Sequence, residues 1–168
     1  MIYYNIIQGK KIFFESDIIF ASYEANLANA EEQKEYLLDK AKQSKLAELE
    51  AFHNSNAVKY LTIKIGNLQT GIFVNQEYRY LIDEQRELLQ IRINNGEQNP
   101  TWLYQNGVTL PLDLKTLNIL RLYIGKLTDD NFRANILNKK TINAFKVIEE
   151  VENFDVKTNY RINQILTF

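Results

Sequence analysis

Apolar and polar positions change period several times along this chain, and each change marks an element. Residues 2–7 (Ile-Tyr-Tyr-Asn-Ile-Ile) are β-branched and aromatic, Gln8-Gly9-Lys10 interrupts them, and Lys11-Ile12-Phe13-Phe14 resumes the pattern. This predicts a hairpin. Two strands alone are marginal in water, so the hairpin is expected to pack on the rest of the chain or on a partner. Residues 23–52 contain no Gly or Pro and are dominated by Ala, Glu, Lys, Gln and Leu, the strongest helix formers. They predict a helix of roughly seven to eight turns, capped by Ser22 or by Ser16-Asp17. Its apolar stripe is thin (Tyr23, Leu27, Ala30, Leu37, Leu38, Ala41, Leu49, Phe52), and Lys34 and Lys45 interrupt any strict heptad. Such a stripe suits either loose self-association or a peripheral position on the domain's own core. The candidate self-association face is Tyr23, Leu27, Ala30, Leu37 and Ala41.

His53-Asn54-Ser55-Asn56 is the clearest break and sets a domain boundary at residue 54. Residues 58–65 then alternate, with Val58, Tyr60, Thr62 and Lys64 on one side and Lys59, Leu61, Ile63 and Ile65 on the other. Gly66-Asn67 turns, and Gly71-Ile72-Phe73-Val74 returns. Residues 77–93 read as a helix with Tyr80, Leu81, Leu88, Leu89 and Ile91 on one side, stopped by Asn94-Asn95-Gly96. Thr101 to Tyr104, Asn106-Gly107 and Val108 to Leu110 form a compact hairpin signal. After Pro111-Leu112, Asp113 is a candidate N-cap for a long helix. Leu114, Leu117, Leu120, Ile124 and Leu127, then Phe132, Ile136, Leu137, Ile142 and Phe145, recur at helical spacing. Gly125 costs about 1 kcal/mol relative to Ala, and one continuous helix through it is expected. Residues 147–154 read as a short helix, and residues 157–168 as a weakly patterned tail. The fold class is therefore α+β: an N-terminal β-hairpin and long helix (residues 1–54), then a small module of short antiparallel strands packed against two or three helices, the last one long (residues 55–156).

Composition narrows the function classes. The 168 residues suffice to bury a core. The charges nearly cancel, with 20 Lys+Arg against 21 Asp+Glu, which points away from nucleic acid and from an anionic membrane surface. A net charge near zero gives little colloidal repulsion and is compatible with life inside an assembly. There is no Cys, so disulfides, thiol catalysis and Cys-ligated zinc are excluded. No apolar run approaches the ~20 residues of a membrane helix, and no secretory signal is expected.

Candidate chemistry is sparse. His53 is the only histidine and reads as an exposed helix-end residue. The carboxylate pairs Glu31-Glu32, Asp83-Glu84, Asp129-Asp130 and Glu149-Glu150 point about 100° apart on a helix and do not converge, so they read as solvated or capping groups. Arg79, Arg86 and Arg92 alternate with Asp83, Glu84 and Glu87 at ion-pairing spacings. Trp102 reads first as core, and a glycan contact by Trp102 and Tyr104 is the alternative. No catalytic, metal-binding or cofactor-binding residue is assigned, and no cofactor is expected.

One resemblance adds context. In order, the chain gives a Glu/Lys/Ala helix, Phe73-Val74-Asn75, an Arg-containing helix, Thr101-Trp102, Asn106-Gly107, Val108-Thr109-Leu110 and a Leu-rich helix. Ile142-Asn143-Ala144 and the acidic clause from Ile148 to Asp155 follow. Over residues 45–156 this resembles the family catalogued as domain of unknown function 4376, found in tailed-phage and prophage proteins, often tail-fibre associated. The resemblance carries no catalytic residues. It implies a non-enzymatic virion structural protein, located in the tail and in the host cytoplasm during assembly. Its partners would be other phage tail proteins, with homo-oligomers expected and no nucleic acid or membrane insertion. The N-terminal hairpin and helix would then serve attachment or oligomerisation. A tail-fibre assembly chaperone or adaptor, and a glycan-binding receptor-recognition module, are the alternatives.

Overall fold

The computed structural model describes residues 1–15, 26–98 and 107–168, and the backbone of residues 101–105. The architecture is α+β. In chain order the elements are β1 (Ile2–Ile7), β2 (Lys10–Glu15), β3 (Asn26–Leu27), α1 (Ala30–His53), α2 (Asn56–Lys59), β4 (Tyr60–Ile65) and β5 (Leu68–Phe73). Then come α3 (Gln76–Asn94), β6 (Thr101–Gln105), β7 (Val108–Leu112), α4 (Leu114–Ala144), α5 (Ile148–Asn153) and β8 (Gln164–Thr167). They form two compact units. One comprises residues 1–47 and 141–154, the other residues 48–140 and 155–168. The boundary expected at residue 54 falls inside the second unit.

In the first unit β1 pairs antiparallel with β2 on one side and with β3 on the other. The expected hairpin is present, and its turn residues Gln8 and Gly9 both have positive φ, 51° and 77°. That combination matches the right-handed twist of the strands. The helix expected from residue 23 begins only at Ala30. Asn29 accounts for this start. Its Oδ1 accepts from the Glu31 and Glu32 amides at 3.0 and 2.9 Å, and Glu32 Oε2 accepts from the Asn29 amide at 3.0 Å. This reciprocal box satisfies the free N–H groups of a helix start. Leu27 therefore lies in a strand, not on the helix. Tyr23 and the expected caps Ser16-Asp17 and Ser22 lie outside the described residues. Two C-terminal pieces complete the unit: Lys42 donates to the Asn143 carbonyl and Lys45 to the Glu152 carbonyl, and Phe145 meets Phe154 edge to face at 5.7 Å.

In the second unit β4 is the middle strand, antiparallel to β5 and parallel to β8. Leu61 and Ile63 of β4 are fully buried, as the alternation requires, and Ile72 of β5 joins them. Ile82 and Leu89 of α3, Leu110 and Leu112 of β7, and Leu117, Leu120, Ile124 and Leu127 of α4 close the core. Asn75 caps α3 by accepting from the Tyr78 amide at 2.9 Å. Asp113 caps α4 by accepting from the Thr116 amide at 2.7 Å. On two helices the buried side is not the one the apolar period marks. On α3 the inward residues are Ile82 and Leu89, while Tyr80, Leu88 and Ile91 are exposed. Tyr80 and Ile82 are two positions apart, so they occupy opposite sides of the helix. On α4, Phe132, Ile136 and Leu137 are exposed. The positions that continue the period of Ile124 and Leu127 are Asn131, Ala134, Asn135, Asn138 and Ile142, all buried.

The buried asparagines have a physical purpose. The Asn131 carboxamide donates to the Val58 and Arg161 carbonyls at 3.3 and 3.1 Å and accepts from the Arg161 amide at 2.8 Å. Asn138 donates to the Val156 and Thr158 carbonyls at 3.1 and 2.8 Å. An apolar residue there would leave those main-chain groups unpaired in the interior. Residues 157–168, read from sequence as a tail, are thus held by α4 and supply β8.

α4 runs unbroken through Gly125. A Cβ at Gly125 would meet nothing closer than the Arg121 guanidinium at 3.7 Å, which is ordinary contact. Gly125→Ala is therefore expected to stabilise the protein by about 0.5–1 kcal/mol, read as a higher urea midpoint with unchanged slope. Asn131→Leu is expected to destabilise it by about 1–3 kcal/mol, with faster amide hydrogen exchange at Arg161.

Candidate functional site

Antiparallel pairing places directly opposed residues on the same side of a sheet. In the N-terminal sheet, Tyr4, Phe13, Lys11 and Glu15 face α1. Phe13 meets Tyr36 with ring centroids 5.8 Å apart, Glu15 binds Lys40 at 2.7 Å, and Lys11 binds Glu32. Lys11 also stands over the Tyr4 ring at 4.2 Å. The hydrogen bond from Lys11, then that from the Asn29 amide, lowers the Glu32 pKa, and the Glu32 carboxylate raises that of Lys11.

The opposite side carries Leu27, Tyr3 and Phe14 in one row across three strands, with Ile12 and Ile7 beside them. Tyr3 and Phe14 stack at 6.0 Å. Ile7, Ile12 and Leu27 are 56%, 48% and 57% exposed. A row of aromatic and aliphatic side chains on one side of a small sheet is the composition of an interface core.

The predicted face is divided by the structure. Leu27 joins this sheet surface. Ala30, Leu37 and Ala41 fall on one side of α1, where Ala30 and Leu37 are exposed and Ala41 is half-buried. Tyr23 lies outside the described residues, as do the side chains of Trp102 and Tyr104. The sequence did not single out exposed Ile7 and Ile12, or half-buried Tyr3 and Phe14 beside them, as one surface. The signal was present in the hairpin's alternation, but which side α1 covers depends on the Phe13–Tyr36 contact.

A second constellation lies in the second unit. His53 ends α1 and is half-buried, not exposed as expected. Its Nδ1 shares a hydrogen bond with the Tyr160 hydroxyl at 3.2 Å, and Tyr160 meets Phe52 edge-on at 5.2 Å. Burial, then the Glu50 carboxylate, pushes the Tyr160 hydroxyl up to about 12. Burial, then the Lys59 ammonium, lowers the His53 pKa. Glu50 opposes this and Lys139 adds to it. A cavity of about 100 Å³ adjoins, lined by His53, Lys59, Thr128, Asn131 and Phe132 among others. Glu50 is itself held low, first by Lys139 and then by Asn54, so the nearby carboxylate is a committed ion-pair partner.

Asp83 joins α3 to α4. Both its oxygens accept from Arg121 Nε at 2.9 Å, and Arg86 adds a bond at 2.9 Å while donating to Asn118 at 2.7 Å. Of the ion pairing expected along α3, Arg86–Asp83 is formed, while Arg92 pairs instead with Glu97, beyond the end of the helix, at 2.8 Å. Among the described residues, no group of three or more His, Cys, Asp or Glu side chains is placed to hold a metal ion. No helix among them is long and apolar enough to cross a membrane.

Comparison of the chain with protein-family models, with curated proteins and with solved structures finds no match in any of the three.

The His53 environment gives a pH signature. Its folded pKa lies below the 6.5 of the free side chain, so the unfolded chain binds the proton first. The associated stability is full above pH 6.5 and is lost as pH falls through the folded value. Glu50 and Asp113, both lowered, act in the same direction only below about pH 4.5. Wild-type protein is expected to lose urea stability between pH 7.5 and 5.5, and His53→Gln to flatten that slope. An equal slope in both proteins would remove His53 as its source.

Proposed function

We propose that this chain is a non-enzymatic structural component of a bacteriophage or prophage tail, associated with the tail fibre and acting through protein–protein assembly. It works in the virion tail and resides in the host cytoplasm while particles assemble. The phage context rests on the resemblance of residues 45–156, above all the Thr101-Trp102 hairpin signal, the Leu-rich helix and the acidic clause from Ile148. The assembly role rests on one observation, the row of exposed Leu27 and half-buried Tyr3 and Phe14, with exposed Ile7 and Ile12, on the N-terminal sheet. In this reading that surface meets another tail protein. Asn5 sits among these side chains, between Tyr3 and Ile7 on the middle strand, and Lys10 lies at the hairpin end opposite Ile7, so the surface mixes apolar contact area with polar groups, as non-obligate contacts do.

The test uses purified particles. Mass spectrometry is expected to find the chain in them, and its absence would move the reading to an assembly chaperone. The triple variant Ile7→Lys, Ile12→Glu, Leu27→Glu alters exposed side chains only. It is expected to melt close to wild type and to lower incorporation about tenfold or more, since a charge at a dry contact costs well over the 1.4 kcal/mol of a factor of ten. Wild-type incorporation of this variant would remove the sheet surface as the contact.

A further inference from the structure

We propose that a second copy of this chain docks on the outer surface of the two-helix layer formed by α3 and α4, each helix of one copy lying on the other helix of its partner. The proposal concerns the second unit alone and does not depend on the tail reading.

α3 and α4 lie side by side. Asp83 binds Arg121 and Arg86 binds Asn118, so numbers rise along one helix as they fall along the other, and the two are antiparallel. Both direct their apolar sides into the core shared with Leu61, Ile63 and Ile72 of the sheet. Their opposite sides therefore form one surface, facing away from the sheet. At 100° per residue, the outer ridge of α3 consists of Glu77, Tyr80, Glu84, Glu87, Leu88 and Ile91, all exposed. It carries three anions, three apolar residues and no cation. The outer ridge of α4 is Lys115, Ile119, Leu122 and Lys126 beside α3, continuing past the start of α3 with Asp129 and Arg133, all exposed. It carries three cations, one anion and two aliphatic residues, of which Leu122 is 74% exposed.

Acid and base are thus segregated on adjacent ridges that each also carry apolar residues. A two-fold axis lying in the contact plane, parallel to the two helices and midway between them, places α3 of each copy on α4 of the other. Both halves of the contact are then complementary in charge, and the same patch serves both copies, as an isologous dimer requires. Like-on-like stacking is opposed by repulsion, which sets the orientation. α3 is about 28 Å long and two helices span about 20 Å, so the patch is on the order of 600 Å² per copy. That is below the ~800 Å² of a standard interface, and it assigns the pair to the weak, salt-sensitive class.

Sedimentation velocity on the full chain tests this at about 0.1 M salt, where the screening length is about 10 Å, and at 1 M, where it is about 3 Å. A concentration-dependent dimer is expected at low salt, with Kd raised about tenfold or more at high salt. Two variants reverse one ridge each: Glu77→Lys, Glu84→Lys, Glu87→Lys, and Lys115→Glu, Lys126→Glu, Arg133→Glu. The six positions are exposed, and Asp130 keeps Arg161 at 2.9 Å when Lys126 is changed, so melting temperatures near wild type are expected. Each variant alone is expected to be monomeric, and an equimolar mixture is expected to regain the dimer. A wild-type monomer up to hundreds of micromolar, an oligomer that survives both reversals, or a mixture that stays monomeric would each overturn the proposal.

Discussion

The second unit depends on how α4 meets the backbone of residues 156–161. A parallel strand next to β4 must arrive by a crossover, and the chain leading into β8 brings irregular main chain into contact with a buried helix face. Unpaired N–H and C=O groups there would each cost on the order of 1–3 kcal/mol. Asn131 and Asn138 remove that cost by bonding Arg161, Val156 and Thr158 directly. The helix is therefore apolar where it meets the sheet, from Leu117 to Leu127, and polar where it meets extended chain. The second half of that division helps to position the incoming strand of the β4–β8 pair, together with the contacts of Tyr160 to Phe52 and of Arg161 to Asp130.

That division also explains what the sequence disclosed and what it hid. Periodicity located the first hairpin, α3, α4, α5 and the cap at Asp113, because local propensity and capping chemistry agree with the fold there. The helical recurrence of Phe132, Ile136 and Leu137 does not mark the inward side, because the inward positions beside them are asparagines with main-chain partners. Periodicity placed Leu27 on a helix because residues 23–29 have helical composition. The Asn29–Glu32 capping box stops the helix short of them. Residues 157–168 looked featureless because a four-residue strand paired in parallel carries no turn signal of its own. The row on the N-terminal sheet was legible only as an alternation, since either side of a hairpin can be the buried one.

Charge behaves similarly. A net charge of −1 suggests an electrically bland molecule, yet the arrangement is not bland. Arg86 is drawn to Asp83 beside Arg121, and Arg92 reaches Glu97, which leaves the outer side of α3 acidic. Lys115, Lys126 and Arg133 leave the outer side of α4 basic. Global neutrality is the sum of two local excesses, and association is governed by the local values. The two units thus present different surfaces: an uncharged aromatic one on the N-terminal sheet and a polarised one on the helix layer.

Neither unit is a continuous stretch of chain. The first needs residues 141–154 as well as 1–47, and the second needs residues 155–168 as well as 48–140. Translation adds about 5–20 residues per second, so for seconds the ribosome carries a nascent chain in which both folding nuclei lack a wall. During that interval β4 exposes the edge that β8 will later occupy, and an open edge is a template for wrong pairing. Production of this protein is thus most vulnerable before residue 168 has left the ribosome, and the order of synthesis becomes a constraint on its yield.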